Sequence, residues 1–95
     1  MAARTMTMVF CYDVDDDRTR RRLAALLESR AVRVQESVFE ARLGAREAEN
    51  LFRAANALIG PDDSLRMYAL SSVGLSRSRV AGGAPLPEDG DYWLV

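Results

Sequence analysis

Met6-Thr7-Met8-Val9-Phe10-Cys11-Tyr12, followed at once by Asp13, is the stretch on which the fold of this chain turns. It alternates as a β-strand does, with Met6, Met8, Phe10 and Tyr12 on one face and Val9 and Cys11 on the other. Both faces are largely apolar. A strand in a single sheet covered by helices on one side needs only one such face. The second needs a cover, and a second subunit is the simplest one.

Downstream, Asp15-Asp16-Asp17 carry the signals of a helix start: acidic side chains that cap free N–H groups and match the positive helix end. Leu23, Ala24, Leu26 and Leu27 form the core stripe at helical spacing. Arg18, Arg20, Arg21 and Arg22 crowd the first turns, where cations oppose the helix dipole, which points to a use beyond stability. Val32-Arg33-Val34 reads as a short strand and Ser37 to Leu43 as another, joined by a bend at Gln35-Glu36 that lacks the usual Asn-Gly signal. Ala48, Leu51, Phe52, Ala55, Leu58 and Ile59 give a second helical stripe, stopped by Gly60-Pro61. Leu65 to Leu70 is the fourth strand.

The order strand–helix–strand–strand–helix–strand predicts an α+β fold, a ferredoxin-like βαββαβ sandwich whose antiparallel sheet carries two helices on one face. The 95 residues form a single domain, with a core over about residues 6–70. Residues 71–90, rich in Ser, Gly, Pro and Arg, read as a mobile loop. Residues 91–95, containing Tyr92-Trp93-Leu94-Val95, read as a short C-terminal strand that docks on a sheet edge, its own or a partner's.

Composition narrows the chemistry. The chain has no histidine, which excludes Ser-His-Asp and Cys-His triads and His-ligated zinc. It has no lysine either; all 13 basic residues are arginines, so Schiff-base chemistry and a phosphate-loop lysine are excluded. Cys11, the single cysteine, lies in an apolar strand and reads as a small buried hydrophobe. Hydrolysis here must rely on carboxylates, arginines, hydroxyls, backbone groups or a hard cation. The net charge of −1 means that nucleic-acid binding requires an asymmetric arginine surface. No apolar run approaches the roughly 18 residues that span a bilayer, and no signal region precedes the first strand. The expectation is a cytoplasmic protein without membrane contact.

Asp13 reads either as a turn residue bonded to backbone or as a ligand for a hard cation. In the second case, two subunits meeting on a two-fold axis would bring two copies of Asp13 to one ion. Asp15, Asp16 and Asp17 read as caps and solvated charge. Ser37 and Phe39 read either as a backbone-bonded turn residue and a core ring, or as a hydroxyl near Asp13 and a ring at the subunit interface. The phosphate candidates are Arg18, Arg20, Arg21, Arg22, Arg33, Arg42, Arg77 and Arg79. Of these, the cluster Arg18 to Arg22 and the pair Arg77 and Arg79 are favoured, because a dimer doubles each patch.

Four phrases taken together resemble one family: Tyr12-Asp13, Asp17-Arg18-Thr19-Arg20-Arg21, Gln35-Glu36-Ser37-Val38-Phe39 and Asp63-Ser64-Leu65-Arg66-Met67-Tyr68. Their order and spacing are similar to those of the small CRISPR-associated adaptation subunit, the dimeric partner of the spacer integrase. The resemblance implies a symmetric homodimer whose sheets face each other. It also implies metal-dependent hydrolysis of phosphodiesters in RNA or DNA, with magnesium, or manganese in its place, held by Asp13. Asp13 is then the catalytic residue, supported by Tyr12, Ser37 and Phe39. The partners implied are the integrase, duplex DNA and single-stranded RNA; the residues read above as nucleic-acid contacts are Arg18, Arg20, Arg21, Arg22, Arg77 and Arg79. Alternatives from other classes are a toxin-type ribonuclease on the same fold, a purely structural adaptor, and a regulatory domain binding a small molecule between subunits.

Overall fold

The computed structural model describes residues 4–86. Strand β1 (Thr5–Asp13) is its hub, hydrogen-bonded antiparallel to β3 (Val38–Gly44) on one side and to β4 (Ser64–Leu70) on the other. The short β2 (Val32–Gln35) pairs with β3, so the sheet order is β2-β3-β1-β4, with β2 and β4 at the edges. Helices α1 (Asp17–Glu28) and α2 (Ala45–Asn56) cross over one face. This is the predicted ferredoxin-like arrangement.

The alternation in β1 has the predicted consequence on the helix side. Met8, Phe10 and Tyr12 are buried there with Phe39, Ala41 and Leu43 of β3, and they pack against Leu23, Ala24 and Leu27 of α1 and Ala48, Leu51 and Ala55 of α2. Phe10 stands in register with Phe39 on one side and Met67 on the other, which puts three large side chains in one layer. α2 ends at Asn56, so Leu58 and Ile59, expected on its stripe, instead pack on the core from the turn that follows.

The opposite face differs from the expectation of a second apolar surface. Val9 and Cys11 are half-buried there, but their cross-strand partners include Glu40 and Arg66, and Thr7 faces Arg42. Arg42 donates to the Thr7 hydroxyl at 3.2 Å and to the Thr5 hydroxyl at 3.1 Å, which helps to bury Thr7 completely. Tyr68 and Val32 remain exposed at the two edges. The face is thus a mixed one, apolar only along its middle. Burial between Val9 and Val32 pushes the Glu40 carboxyl above the ordinary carboxylate range.

The stretch read as a loop opens on a short helix, α3 (Ser72–Ser76), capped by the Ser71 hydroxyl and anchored by buried Leu75. The expected C-terminal strand at 91–95 lies outside the described residues. Among the described residues, no helix is long and apolar enough to cross a membrane.

α1 starts where the acidic run predicts. Asp16 is its N-cap: the carboxylate accepts from the Thr19 backbone N–H at 2.8 Å and the Thr19 hydroxyl at 2.9 Å. These bonds, the backbone one first, hold its pKa below the ordinary value of 3.8. A carboxyl lowered in the folded state contributes stability above its unfolded pKa and loses it as the pH falls through the folded value. Asp16→Ala should therefore lower the melting temperature by several degrees at pH 7, and the two proteins should converge in acid below the ordinary carboxylate pKa. Thermal melts from pH 7 down to pH 2 check this.

Candidate functional site

Where β1 runs out, its last residues and the β2–β3 bend close on one another. The Tyr12 N–H donates to the Ser37 carbonyl at 3.2 Å, and the Tyr12 hydroxyl reaches the Glu36 carbonyl at 3.5 Å. The bend is Glu36-Ser37, one residue later than the sequence suggested. It contains no positive φ, so it is not the Asn-Gly type of hairpin turn, and an irregularity between Arg33 and Gln35 adjusts the register instead.

The result is an open cleft of about 360 Å³ lined by Tyr12, Asp13, Val14, Arg20, Arg21, Arg33, Glu36 and Ser37. The end of β1 and the first turns of α1 thus meet the β2–β3 bend, which is distant from both in sequence. Beneath the cleft, Phe39 stacks with Tyr12 at a centroid distance of 6.1 Å and an interplanar angle of 25°. The Arg33 guanidinium lies over the same Phe39 ring, 5.2 Å from its centroid. Such cation–π contacts fix the cation's plane while leaving its N–H edges available.

The cleft's groups divide into those already engaged and those still open. Tyr12 is bonded to the bend. Arg20 is bonded to its own loop, donating to the Val14 carbonyl at 3.1 Å, to the Asp15 carbonyl at 2.6 Å and to the Asp17 carboxylate. Among the described residues, the side chains of Asp13, Arg21, Glu36 and Ser37 make no hydrogen bond, and Arg33 makes only its ring contact. One exposed carboxylate, two guanidiniums from different elements, a second carboxylate and a hydroxyl therefore face the same opening.

The other expected site residues fall elsewhere. Phe39 is 0% exposed in the chain by itself, so its ring cannot meet a second subunit, and its place is under the site rather than at an interface. Arg18 and Arg22 are exposed one turn apart on the outer face of α1, opposite the buried stripe, and do not line the cleft. Arg77 and Arg79 follow α3, which leaves β4 at Leu70, beside Thr7. Six residues of strand, about 20 Å, separate that end of β1 from Asp13. Arg77 and Arg79 are exposed and lie outside the cleft. Arg42 is bonded across the open face to Thr5 and Thr7. Sequence reading favoured none of Arg33, Glu36 and Val14 as site residues. The available signal was the short β2–β3 hairpin, which sets Arg33 directly opposite Phe39.

The model of the family described as CRISPR associated protein Cas2 matches residues 6–77, so it spans every element from β1 through α3. The chain belongs to the Cas2 family. A Cas2 relative from Synechocystis, called CRISPR-associated endoribonuclease Cas2 2, is 41% identical over 87 residues, which cover 90% of this chain and 94% of the relative. One from Thermus thermophilus, called CRISPR-associated endonuclease Cas2 2, is 44% identical over 78 residues, covering 81% of this chain and 82% of the relative. A Cas2-like chain in a solved structure described as a partial Cas6-RT-Cas1–Cas2 complex superposes with a TM-score of 0.72 at 28% identity, covering 87% of this chain and 92% of that one. Cas2 membership accounts for the ferredoxin-like fold.

Proposed function

We propose that this chain is the adaptation subunit of a CRISPR system: a homodimer that bridges the integrase, holds the spacer duplex and cleaves phosphodiesters at the Asp13 cleft with magnesium. The nuclease half is carried by one observation. Among the described residues, the Asp13 carboxylate has no partner, and it shares a cleft with Arg21 and Arg33, which make no hydrogen bond there either. An unengaged carboxylate beside two unengaged guanidiniums suits a phosphate neutralised from one side and metal-assisted from the other.

The donor set fits magnesium in one respect and limits it in another. Magnesium takes one or two carboxylates and keeps several waters, which Asp13 at the mouth of an open cleft allows. Among the described residues, no group of three or more acidic, His or Cys side chains is placed to hold a metal ion within one chain. A second copy across a two-fold axis supplies a second Asp13, which completes the set without further residues. When bound, the ion supplies charge stabilisation at the phosphate and acidifies a coordinated water. The chain's own residues do the rest. Asp13 anchors the site at the end of a rigid strand. Arg21 and Arg33 grip non-bridging oxygens, Arg33 held in plane by the Phe39 ring. Ser37 offers a hydroxyl to a phosphate oxygen or a water.

Removing a phosphate contact should weaken binding evenly across sequences and reduce the salt slope by about one. Arg21→Ala and Arg33→Ala are each expected to raise the KM for single-stranded RNA and flatten log Kd against log salt by about one unit. Fluorescence anisotropy across a potassium chloride series checks this. An unchanged slope for both variants would remove them from the phosphate grip.

The scaffold role is separable. It draws on the relative seen in complex with Cas1 and on the exposed Arg18 and Arg22 of α1, and it does not need Asp13. The second reading is an adaptor without nuclease activity, which draws on the exposed arginine surface alone. The deciding experiment pairs assembly with the cognate integrase on duplex DNA against cleavage of RNA and DNA with magnesium. Assembly without cleavage supports the adaptor. Cleavage without assembly supports the toxin-type ribonuclease.

A further inference from the structure

Arg20 differs from every other cleft arginine in where its donors go. Its Nη1 donates to two carbonyls of the β1–α1 loop, Val14 at 3.1 Å and Asp15 at 2.6 Å, and its Nη2 donates to the Asp17 carboxylate. Its backbone N–H makes the first i→i−4 bond of α1, onto the carbonyl of the N-cap Asp16 at 2.9 Å. Three of the guanidinium's five N–H groups are therefore spent within six residues of the chain. The loop they hold begins immediately after Asp13, and it is pinned from below by the buried Val14 side chain. We infer that Arg20 is a positioning residue that straps the loop leaving Asp13, and that it does not grip phosphate.

This inference rests on the nuclease reading for its kinetic consequence but not for its geometry. The strap depends on a planar fork that spans two carbonyls and a carboxylate together. A lysine, a point charge on a flexible stem, does not reproduce that span. Arg20 thus acts on the reaction through Asp13. Its loss should slow turnover without weakening RNA binding, the reverse of what loss of Arg21 or Arg33 should do.

The test uses the full chain as wild type, Arg20→Ala, Arg20→Lys and Arg21→Ala, with three readouts. The first is the salt slope of single-stranded RNA binding. The second is kcat and KM with magnesium. The third is hydrogen exchange at the Thr19 amide, which is bonded to Asp16 in the strapped turn. For Arg20→Ala we expect an unchanged salt slope, a KM within twofold of wild type, a kcat lower by at least tenfold and faster exchange at Thr19. Arg20→Lys should share the loss in kcat. A slope reduced by about one unit with a raised KM and unchanged exchange would overturn the inference and make Arg20 a phosphate ligand. Full recovery of kcat in Arg20→Lys would overturn it too, since charge alone would then suffice. Wild-type protein that binds RNA but does not cleave it sinks the nuclease reading alone; the slope and the exchange rate still decide the role of Arg20.

Discussion

Asp13→Ala should abolish magnesium-dependent cleavage while leaving the fold and integrase assembly intact. The carboxylate is exposed, sits at the end of β1 and makes no hydrogen bond among the described residues, so its loss leaves no buried group there unsatisfied. Surface changes of this kind shift stability by about 0.5 kcal/mol or less, which predicts a melting temperature within a few degrees of wild type. The effect on turnover should be far larger. Groups that merely orient a metal ligand are typically worth about 10–100-fold, so deletion of the ligand itself should cost at least about 100-fold. Gel-based cleavage of RNA and DNA, run beside melting curves and native-gel assembly, reads all of these together. Cleavage within threefold of wild type would place the metal elsewhere or remove it from the protein.

The second large effect concerns Phe39. Its ring is fully buried, in register with Phe10 across the sheet, and it carries Tyr12 and Arg33 on its surface. Phe39→Ala should cost about 3–5 kcal/mol from lost burial and the cavity left behind. For a chain of this size that amounts to a fall of roughly 15 °C or more in melting temperature. Phe39→Leu separates the packing role from the site role. It keeps most of the volume, at a cost nearer 1 kcal/mol, but removes the aromatic plane under Arg33. We expect Phe39→Leu to remain folded at 25 °C and still show a raised KM for RNA, as Arg33→Ala does. Normal RNA affinity in the leucine variant would confine Phe39 to the core. Denaturant melts and anisotropy measure the two effects separately.

The β-strand alternation from Met6 to Tyr12 and the acidic helix start at Asp16 were legible in the sequence, because each depends on neighbours within a few residues. They lead to the ferredoxin-like order that the structure shows. The helix stop read at Gly60-Pro61 falls too late, since α2 ends at Asn56. The readings that needed partners far along the chain were less complete. Phe39 was open to two readings until the register set it opposite Phe10 and Arg33. The second face of β1 looked apolar because its alternate residues are Val9 and Cys11. Its cross-strand neighbours, Glu40, Arg42 and Arg66, come from β3 and β4 and make it mixed.

The arginines show where local reading ends. In sequence, Arg18, Arg20, Arg21 and Arg22 form one cluster, with Arg77 and Arg79 as a second. In space they have four different settings: the outer helix face, a loop strap, the cleft, and the far end of the sheet beyond α3. The sequence by itself determined the four strands and two main helices of the sheet layer, their order and Asp13 as the carboxylate at a strand end, since helix period, strand period and turn chemistry are short-range. Only the tertiary structure decided which arginines join Asp13. A guanidinium's role depends on which donors its own fold has already used, and those partners are set by pairings across the sheet and between elements.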